Sequence, residues 1–512
     1  MNSNDEQHFL SGKRIVIAGG GIGGITFCIA LQQFLDKEKE KISPPPSIVV
    51  YERDTSADAI GREGYSLSLR GDPLSGGMQT LQKLGVLQEM IDESNPGSYF
   101  TLFNYDFSSL MEMRSPPIEG LSQSSIRISR SKLREILLKH VHSSISINWN
   151  CAITSAEELD NGQVSFNVSN GNKDQCDLLI VADGSSSVIR KCLRPEHVLN
   201  FAGAVSITAR THALDKFPAP LDRTWGGAIG GDGHFLFVAP SDRTSALWSV
   251  SYLTDKHRPA KSAGTMTEQE IDEVLEEAKQ RTKVFTEPIG TLIKETLRSS
   301  VAIFNAKDLV PFRNHGSVIF IGDAQHAMSP FAGNGANMAM MDGYQLADQL
   351  VHSKDLNTAI QSYDDLSIPR STKAIDMSHR SITMGHSQGI WKYMYVGILK
   401  VMSCRFFRID SCSLLNSNAH NDEWNLLKRI LSYPSLSFPT KIKFLIIYVF
   451  LINVSSPLLR LRIELLIYAH TCFINSCHMK GICLVLDNTQ HIAVLLDDLN
   501  GYTLLMRLLM GL

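Results

Sequence analysis

Residues 13–24 read Lys-Arg-Ile-Val-Ile-Ala-Gly-Gly-Gly-Ile-Gly-Gly, an apolar β-branched run that breaks into glycines just before a helical pattern begins. Ile15, Val16 and Ile17 suit a strand buried on both faces, and Gly19-x-Gly21-x-x-Gly24 follows at the spacing of a dinucleotide cradle. Each glycine answers a steric need. Gly19 permits the tight turn, Gly21 lets the backbone approach a pyrophosphate, and Gly24 lets the next helix pack closely, so that its N-terminal N–H groups face the phosphate. Alone, such a turn is a weak signal, but residues 25–35 keep apolar side chains at helical spacing and Ser47-Ile-Val-Val-Tyr51 forms a second strand ending in Glu52. That carboxylate either accepts both ribose hydroxyls or is an ordinary solvated strand end. It lies beyond the usual interval of about 20 residues, and the charged, proline-rich stretch Lys37–Pro46 reads as a lengthened surface loop that accounts for the excess.

With 512 residues the chain can bury a large core and should hold two or three domains. A net charge of −3 from near-equal acids and bases gives no footprint for nucleic acid, so small molecules are the expected partners. Nine scattered cysteines argue against a disulfide framework and for a reducing compartment. The N-terminal Met-Asn-Ser-Asn-Asp-Glu-Gln-His has neither an apolar run nor arginines, so a presequence is not expected and the cytoplasmic side is.

Beyond Glu52, Gly61-Arg-Glu-Gly-Tyr-Ser-Leu-Ser-Leu69 alternates as a short strand, and Gly76–Glu89 spaces Met78, Leu81, Leu84 and Leu87 as one amphipathic helix. Residues 99–114 and 126–129 read as strands. Arg130-Ser-Lys-Leu-Arg-Glu-Ile-Leu-Leu starts a helix that Ser129 or Ser131 can cap. Arg130, at its mouth, is either a surface arginine or a guanidinium set against cofactor phosphate or ring edge. Strands over 146–154 and 163–168 lead to Cys176-Asp-Leu-Leu-Ile-Val-Ala-Asp183-Gly184 and a serine-capped helix reaching Arg190, much like a second phosphate-facing loop. Residues 201–210 and 234–253 alternate apolar and polar positions, with Trp225, Phe235, Phe237, Trp248 and Tyr252 in or near them. They read as an antiparallel sheet in a separate substrate domain, which carries a capped helix over Thr267–Phe285.

The most specific stretch comes next. Ser317-Val-Ile-Phe-Ile321 delivers Gly322-Asp323-Ala-Gln-His326, and Ser329-Pro330-Phe-Ala-Gly333-Asn-Gly335-Ala336-Asn337 opens a helix through Leu350. An Asp at a strand end beside a glycine-rich helix N-terminus can hold a ribityl hydroxyl, while the N–H groups of Gly333–Asn337 can meet a polarised flavin carbonyl. His326 is expected to hydrogen-bond locally and shape the loop rather than transfer protons; an ordinary pKa near 6.5 does not decide the matter.

In this order, Gly19-x-Gly21-x-x-Gly24, Asp183-Gly184 and Gly322-Asp323 with Pro330 and Gly333-x-Gly335 resemble the class A flavoprotein monooxygenases of the para-hydroxybenzoate hydroxylase type. Tyr51-Glu-Arg-Asp54, Ile128-Ser-Arg-Ser-Lys-Leu-Arg-Glu-Ile-Leu137 and the whole Gly322–Gly335 stretch look most like the tetracycline-inactivating flavin monooxygenases and fungal enzymes of specialised metabolism. The similarity covers about residues 10–385. It implies an α/β fold: a Rossmann-like FAD-binding domain assembled from residues 1–95, 126–195 and 301–385, with a substrate domain from 96–125 and 196–300. It implies that FAD is held by Gly19, Gly21, Ile22, Gly24, Glu52, Arg53, Arg130, Asp183, Gly184, Asp323, Pro330 and Gly333, with Gly335, Ala336 and Asn337 along the isoalloxazine. Arg62 is a candidate to meet a nicotinamide cofactor. The implied chemistry is reduction of the flavin by NADPH or NADH, a C4a-hydroperoxide formed with O2, and hydroxylation or epoxidation of an electron-rich phenolic, enolic or polyketide- or terpenoid-like molecule, with no protein nucleophile. Ser68 departs from the tetracycline enzymes, which carry an acidic flavin contact there.

Two rivals share the fold. A flavin-dependent halogenase normally carries Trp-x-Trp-x-Ile-Pro, and no two of Trp149, Trp225, Trp248, Trp391 and Trp424 stand in that relation. A non-catalytic protein like the prenyl-GTPase escorts would lose its flavin contacts, whereas Gly322-Asp323 is intact. Residues 386–512 read as a helical, apolar C-terminal extension. Within it, Phe444–Leu459 is uncharged between Lys441 and Lys443 and Arg460 and Arg462, so membrane association through 441–462 is expected. Spanning needs about 18–20 residues, which leaves interfacial docking and a buried helix pair open as well. His470, Cys472, Cys477, His478 and Cys483 lack zinc-ligand spacing, and no metal is expected.

Overall fold

Ile15 and Ile17 of strand β1 (Arg14–Ala18) enter one hydrophobic core while Val16 and Ala18 enter another on the opposite face. This is the period-two alternation of a strand covered on both sides. The computed structural model describes residues 7–57, 65–95, 99–113, 116–389, 391–392, 395–396, 482–486 and 492–496; Arg62 and the 441–462 stretch lie outside them. After β1 come α1 (Ile22–Lys37), β2 (Ser47–Tyr51), β3 (Ser66–Arg70), α2 (Gly77–Lys83), α3 (Leu87–Asp92), β4 (Phe100–Asn104), β5 (Ser109–Met113), β6 (Ser125–Ser129) and α4 (Arg130–Lys139). Next are β7 (Ser146–Asn148), β8 (Ile153–Glu158), β9 (Val164–Val168), β10 (Lys173–Cys176), β11 (Leu178–Val181), α5 (Val188–Leu193) and β12 (Asn200–Arg210). The chain continues through β13 (Trp225–Ile229), β14 (His234–Pro240), β15 (Ala246–Leu253), α6 (Glu268–Arg281), α7 (Ile289–Lys294), β16 (Ala302–Asp308) and β17 (Val318–Phe320). It then runs through α8 (Asp323–His326), α9 (Gly335–His352) and α10 (Leu356–Gly385).

A parallel sheet in the order β17-β11-β1-β2-β7 forms the nucleotide-binding layer. Phe27 and Leu31 of α1, Leu133 of α4 and Leu346 of α9 cover one face. Val164, Phe166 and Val168 of the β8–β10 meander cover the other. A second sheet, β16-β12-β15-β14-β13-β4-β5, buries Leu236, Val238, Trp248 and Val250 against Ile271, Val274 and Ala278 of α6 and Leu292 of α7. Inside that core the Trp248 indole N–H donates to Thr296 Oγ1 at 3.0 Å, so the buried polar atom is satisfied.

Several expectations need correction. The second sheet is mixed, because β13 and β4 pair in parallel, Gly227 opposite Leu102. These strands come from separate excursions out of the first layer, so no hairpin constrains their direction. The helix expected over 76–89 is two helices, broken at Gly85 with φ +79°. The strand expected over 146–154 divides into β7 and β8, which belong to different sheets. Met1–Val396 and Gly397–Leu512 are separate units. In the latter, Ile482–Leu486 and Ile492–Leu496 pair antiparallel, Leu484 opposite Val494. An all-helical extension is therefore wrong at these residues: each segment is a short aliphatic run of strand length rich in β-branched residues. Among the described residues no helix is long and apolar enough to cross a membrane.

Candidate active site

The order β17-β11-β1 sets the carboxyl ends of three adjacent parallel strands side by side, where open α/β sheets bind their ligands. At the β1 end Gly19 has φ +108°, and a Cβ there would lie 2.5 Å from the Ala182 carbonyl oxygen; a Cβ on Gly24 would lie 2.1 Å from that of Gly19. Gly21 differs, for a Cβ there would meet nothing within 4 Å. Gly19 and Gly24 thus serve close packing within the protein, and Gly21 faces open space at the uncapped start of α1, where Ile22 begins the helix. Gly24→Ala should cost about 1–3 kcal/mol of stability through overpacking, read from denaturant unfolding of the apoprotein.

Glu52 is buried and already committed. Its Oε2 accepts the Gly20 N–H at 2.6 Å and its Oε1 the Asp54 N–H at 2.9 Å. Beside it stands Arg134, only 2% exposed, which donates from Nε to the Gly20 carbonyl at 3.2 Å and pairs with Asp54 Oδ2 at 2.9 Å. Arg134 was not singled out from the sequence, although it sits four residues after Arg130 on α4 and so shares a helix face with it. Arg53, between Glu52 and Asp54 in the sequence, is exposed.

At the β11 end Asp183 Oδ2 accepts the Val188 N–H at 3.1 Å, while its buried Oδ1 has no hydrogen-bond partner among the described residues. Burial pushes this carboxyl above its usual range. Gly184 follows with φ +87°. Arg190, 2% exposed, ties the loop to the third strand end: its guanidinium donates to the carbonyls of Ser185 at 2.5 Å and Ala324 at 2.9 Å.

At the β17 end Gly322, with φ +57°, turns the chain into Asp323. No described residue donates a hydrogen bond to the Asp323 carboxylate, and burial raises its pKa against the pull of His326 and Arg130. Arg130 is therefore electrostatically within this site, at the first position of α4. The loop is held from behind. Asp342 accepts the Gly322 N–H at 2.9 Å, His326 Nε2 at 2.6 Å and an Arg370 N–H at 2.6 Å. Burial disfavours a charge on His326, yet the Asp342 carboxylate outweighs this and holds the imidazole above its usual value. Burial likewise opposes ionisation of Asp342, and the cations of His326 and Arg370 keep it well below the carboxylate range.

Pro330 opens a single 3-10 turn and Gly333 closes it at φ +62° before α9 begins at Gly335. Asn334 gives α9 no side-chain cap, so the first N–H groups of the helix, those of Gly335, Ala336 and Asn337, lack intrahelical acceptors. A Cβ on Gly335 would lie 3.8 Å from Asp323 Oδ1, which puts that helix end beside the carboxylate. The Asn337 side chain is spent on β3: it accepts the Arg70 N–H at 3.0 Å and donates to the Ser68 carbonyl at 2.9 Å. Asn334, also missed from the sequence, accepts from Ser75 Oγ at 2.9 Å and from the Arg70 guanidinium. The described structure thus gathers the three glycine turns, Asp183, Asp323, Arg130 and the start of α9, leaves Arg53 at the surface, and does not include Arg62. Among the described residues no cluster of histidine, cysteine or acidic side chains could hold a metal.

Residues 66–378 match the family model described as FAD binding domain, and residues 412–512 match one described as Spatacsin C-terminus. Monooxygenase cfoF of Aspergillus candidus is 33% identical over 397 residues, covering 74% of this chain and 93% of its own length. Among solved structures, Klebsiella pneumoniae HpxO complexed with FAD and uric acid aligns at a TM-score of 0.63 and 18% identity, over 77% of this chain and 95% of that one. Tetracycline destructase Tet(51) aligns at 0.53 and 18% identity, over 79% and 99%. The chain belongs to the FAD binding domain family and is a class A FAD-dependent monooxygenase, an oxidoreductase. Its residues fit the cofactor: the open face at Gly21, the Asp183 Oδ1 and Asp323 carboxylate that receive no donor from a described residue, and the uncapped α9 N-terminus are what a dinucleotide with a hydroxylated linker and a polar ring would satisfy.

Proposed function

We propose that the chain consumes NADPH or NADH and O2 to hydroxylate or epoxidise an electron-rich small molecule, phenolic, enolic or polyketide- or terpenoid-like, in specialised metabolism or xenobiotic inactivation. The observation that supports this reading best is the convergence of three strand-end turns with two half-buried carboxylates, under-bonded among the described residues, at one sheet edge. When bound there, FAD supplies the ring that passes electrons from the nicotinamide to O2 and one oxygen atom to the substrate. Gly19, Gly21 and Gly24 let the pyrophosphate approach the N–H groups at Ile22, and Arg130 adds positive charge nearby. Glu52, braced by the Gly20 N–H, keeps lone pairs for the adenosine ribose. Asp323 accepts from the ribityl hydroxyls and Asp183, before Gly184, from the cofactor's polar groups. The N–H groups of Gly335–Asn337 stabilise negative charge at a ring carbonyl.

The substrate would meet the opposite wall. Half-buried Phe235 and Phe237 alternate along β14 with the core residues Leu236 and Val238. Trp225 stands 6.1 Å from Phe237 and Phe331, on the turn before α9, 6.3 Å from Phe235, ring centre to ring centre. Such an aromatic face excludes water and favours a planar apolar substrate. HpxO is complexed with FAD and uric acid, the latter also a planar molecule. A panel of phenols, enols and polyenes should contain compounds that accelerate NADPH oxidation and carry one atom from 18O2 in the product. If accelerated oxidation yields only hydrogen peroxide across the whole panel, or if label enters from water, the proposed oxygen transfer fails.

A further inference from the structure

Arg127 in β6 is 3% exposed, and every described group it touches is neutral. Its Nε donates to the Pro240 carbonyl at 3.3 Å, one terminal nitrogen to Ser68 Oγ at 3.0 Å and the other to the Ser66 carbonyl at 3.2 Å. The guanidinium carbon lies 4.4 Å from the Trp225 ring centre and 5.4 Å from that of Phe237. Burial alone pushes the group down to about 9, which leaves it cationic at neutral pH. Elsewhere in the interior, Arg134 has Asp54, Arg370 has Asp342, and Arg190, bonded only to carbonyls, still feels the charges of Asp183 and Asp323; Arg127 has no carboxylate at ion-pair distance among the described residues. Holding an uncompensated charge in the interior is costly, and a neutral side chain could bridge β3 to the end of β14 without that cost.

The location of the charge suggests what it is for. Ser68, which receives the Arg127 donor on its hydroxyl, receives the Asn337 amide on its carbonyl at 2.9 Å, and Asn337 is the third residue of α9. The cation is thus two hydrogen bonds from the helix end assigned above to the flavin ring. We infer that Arg127 is a positioning residue whose fixed positive charge, clamped between β3 and the aromatic face of the substrate sheet, favours the negatively charged reduced flavin over the oxidised one. The inference rests on the proposed placement of the ring at the α9 N-terminus.

The test is the two-electron midpoint potential of FAD in the purified holoenzyme, measured by slow enzymatic reduction against a reference dye, for the parent, Arg127→Lys, Arg127→Met and Arg127→Gln. Both neutral variants should disfavour reduction about tenfold, which is about 30 mV for a two-electron couple. Lys keeps the charge but not the fork, so it should hold the potential within about twofold of the parent while its thermal midpoint falls like that of the neutral variants. A potential that follows charge rather than stability supports the inference. If Lys shifts it as far as Met and Gln, or if none of the three moves it, Arg127 is only a clamp and the inference is overturned. Gln decides should the Met variant shed its flavin. A parent chain that cannot be loaded with FAD would overturn the placement of the ring along with it, whereas a loaded parent with unmoved variants overturns Arg127 alone.

Discussion

Replacing Asp342 with Asn should lower folding stability by about 3–5 kcal/mol, the usual cost of removing one partner from a buried ion pair. Both His326 and Arg370 lose their counter-charge, and each is buried or nearly so. The pH dependence carries a definite sign. The raised pKa of His326 gives stability that is fully present below its unfolded value of about 6.5 and is lost as pH rises through the folded value. The depressed pKa of Asp342 gives stability that is present above about 3.9 and is lost as pH falls through the folded value. The gap between parent and variant should therefore be widest between about pH 4 and 6.5 and narrow toward alkaline pH, without vanishing there because Arg370 stays paired. Urea unfolding at pH 5, 6.5, 8 and 9 measures this. A gap that widens from pH 6.5 to 9 would contradict the assigned pairing.

Replacing Asp323 with Ala should weaken FAD binding by roughly ten- to over a hundred-fold, since a lost hydrogen bond to a charged group costs about 1.5–3 kcal/mol. Apoprotein stability should scarcely fall. In the folded chain this half-buried carboxylate has no donor from any described residue and its pKa is raised, so without the cofactor it contributes nothing that Ala lacks. Flavin fluorescence titration of both apoproteins, beside their thermal midpoints, separates the two effects. Unchanged affinity in the variant would remove Asp323 from the site.

The contrast between these residues shows what the sequence made legible. Gly19, Gly24 and the strands they follow were readable because a tight turn and a strand buried on both faces each demand a narrow set of side chains over a few consecutive positions. His326 was expected to hydrogen-bond locally; its bond runs instead to Asp342, on the next long helix. Asp342 and Arg370 themselves lie 16 and 28 or more residues along from their partners in that network, which no local pattern reveals. Helix α10 was missed for another reason. Pro369 reads as a break, and the inward face carries Asp364, Ser367, Ser371 and Ser378 where a helix normally shows apolar residues. Those polar groups are satisfied, Ser378 by the Ser329 carbonyl and Asp364 by Asn314, so the helix stays buried without the usual signature. Arg127 and Arg134 were overlooked because arginine is ordinarily a surface residue; only the fold shows which ones are enclosed. The parallel pairing of β4 with β13 joins residues more than a hundred positions apart and is fixed by tertiary structure alone.

The most direct test of the account is the visible spectrum of the purified full chain under nitrogen before and after NADPH, and separately NADH, is added. The protein should be yellow, as isolated or after reconstitution with FAD, and its flavin band should bleach with one of the two nucleotides and return when air is admitted. A chain that takes up no FAD, or one whose bound flavin neither nucleotide reduces in the presence or absence of the substrate panel, would contradict the account.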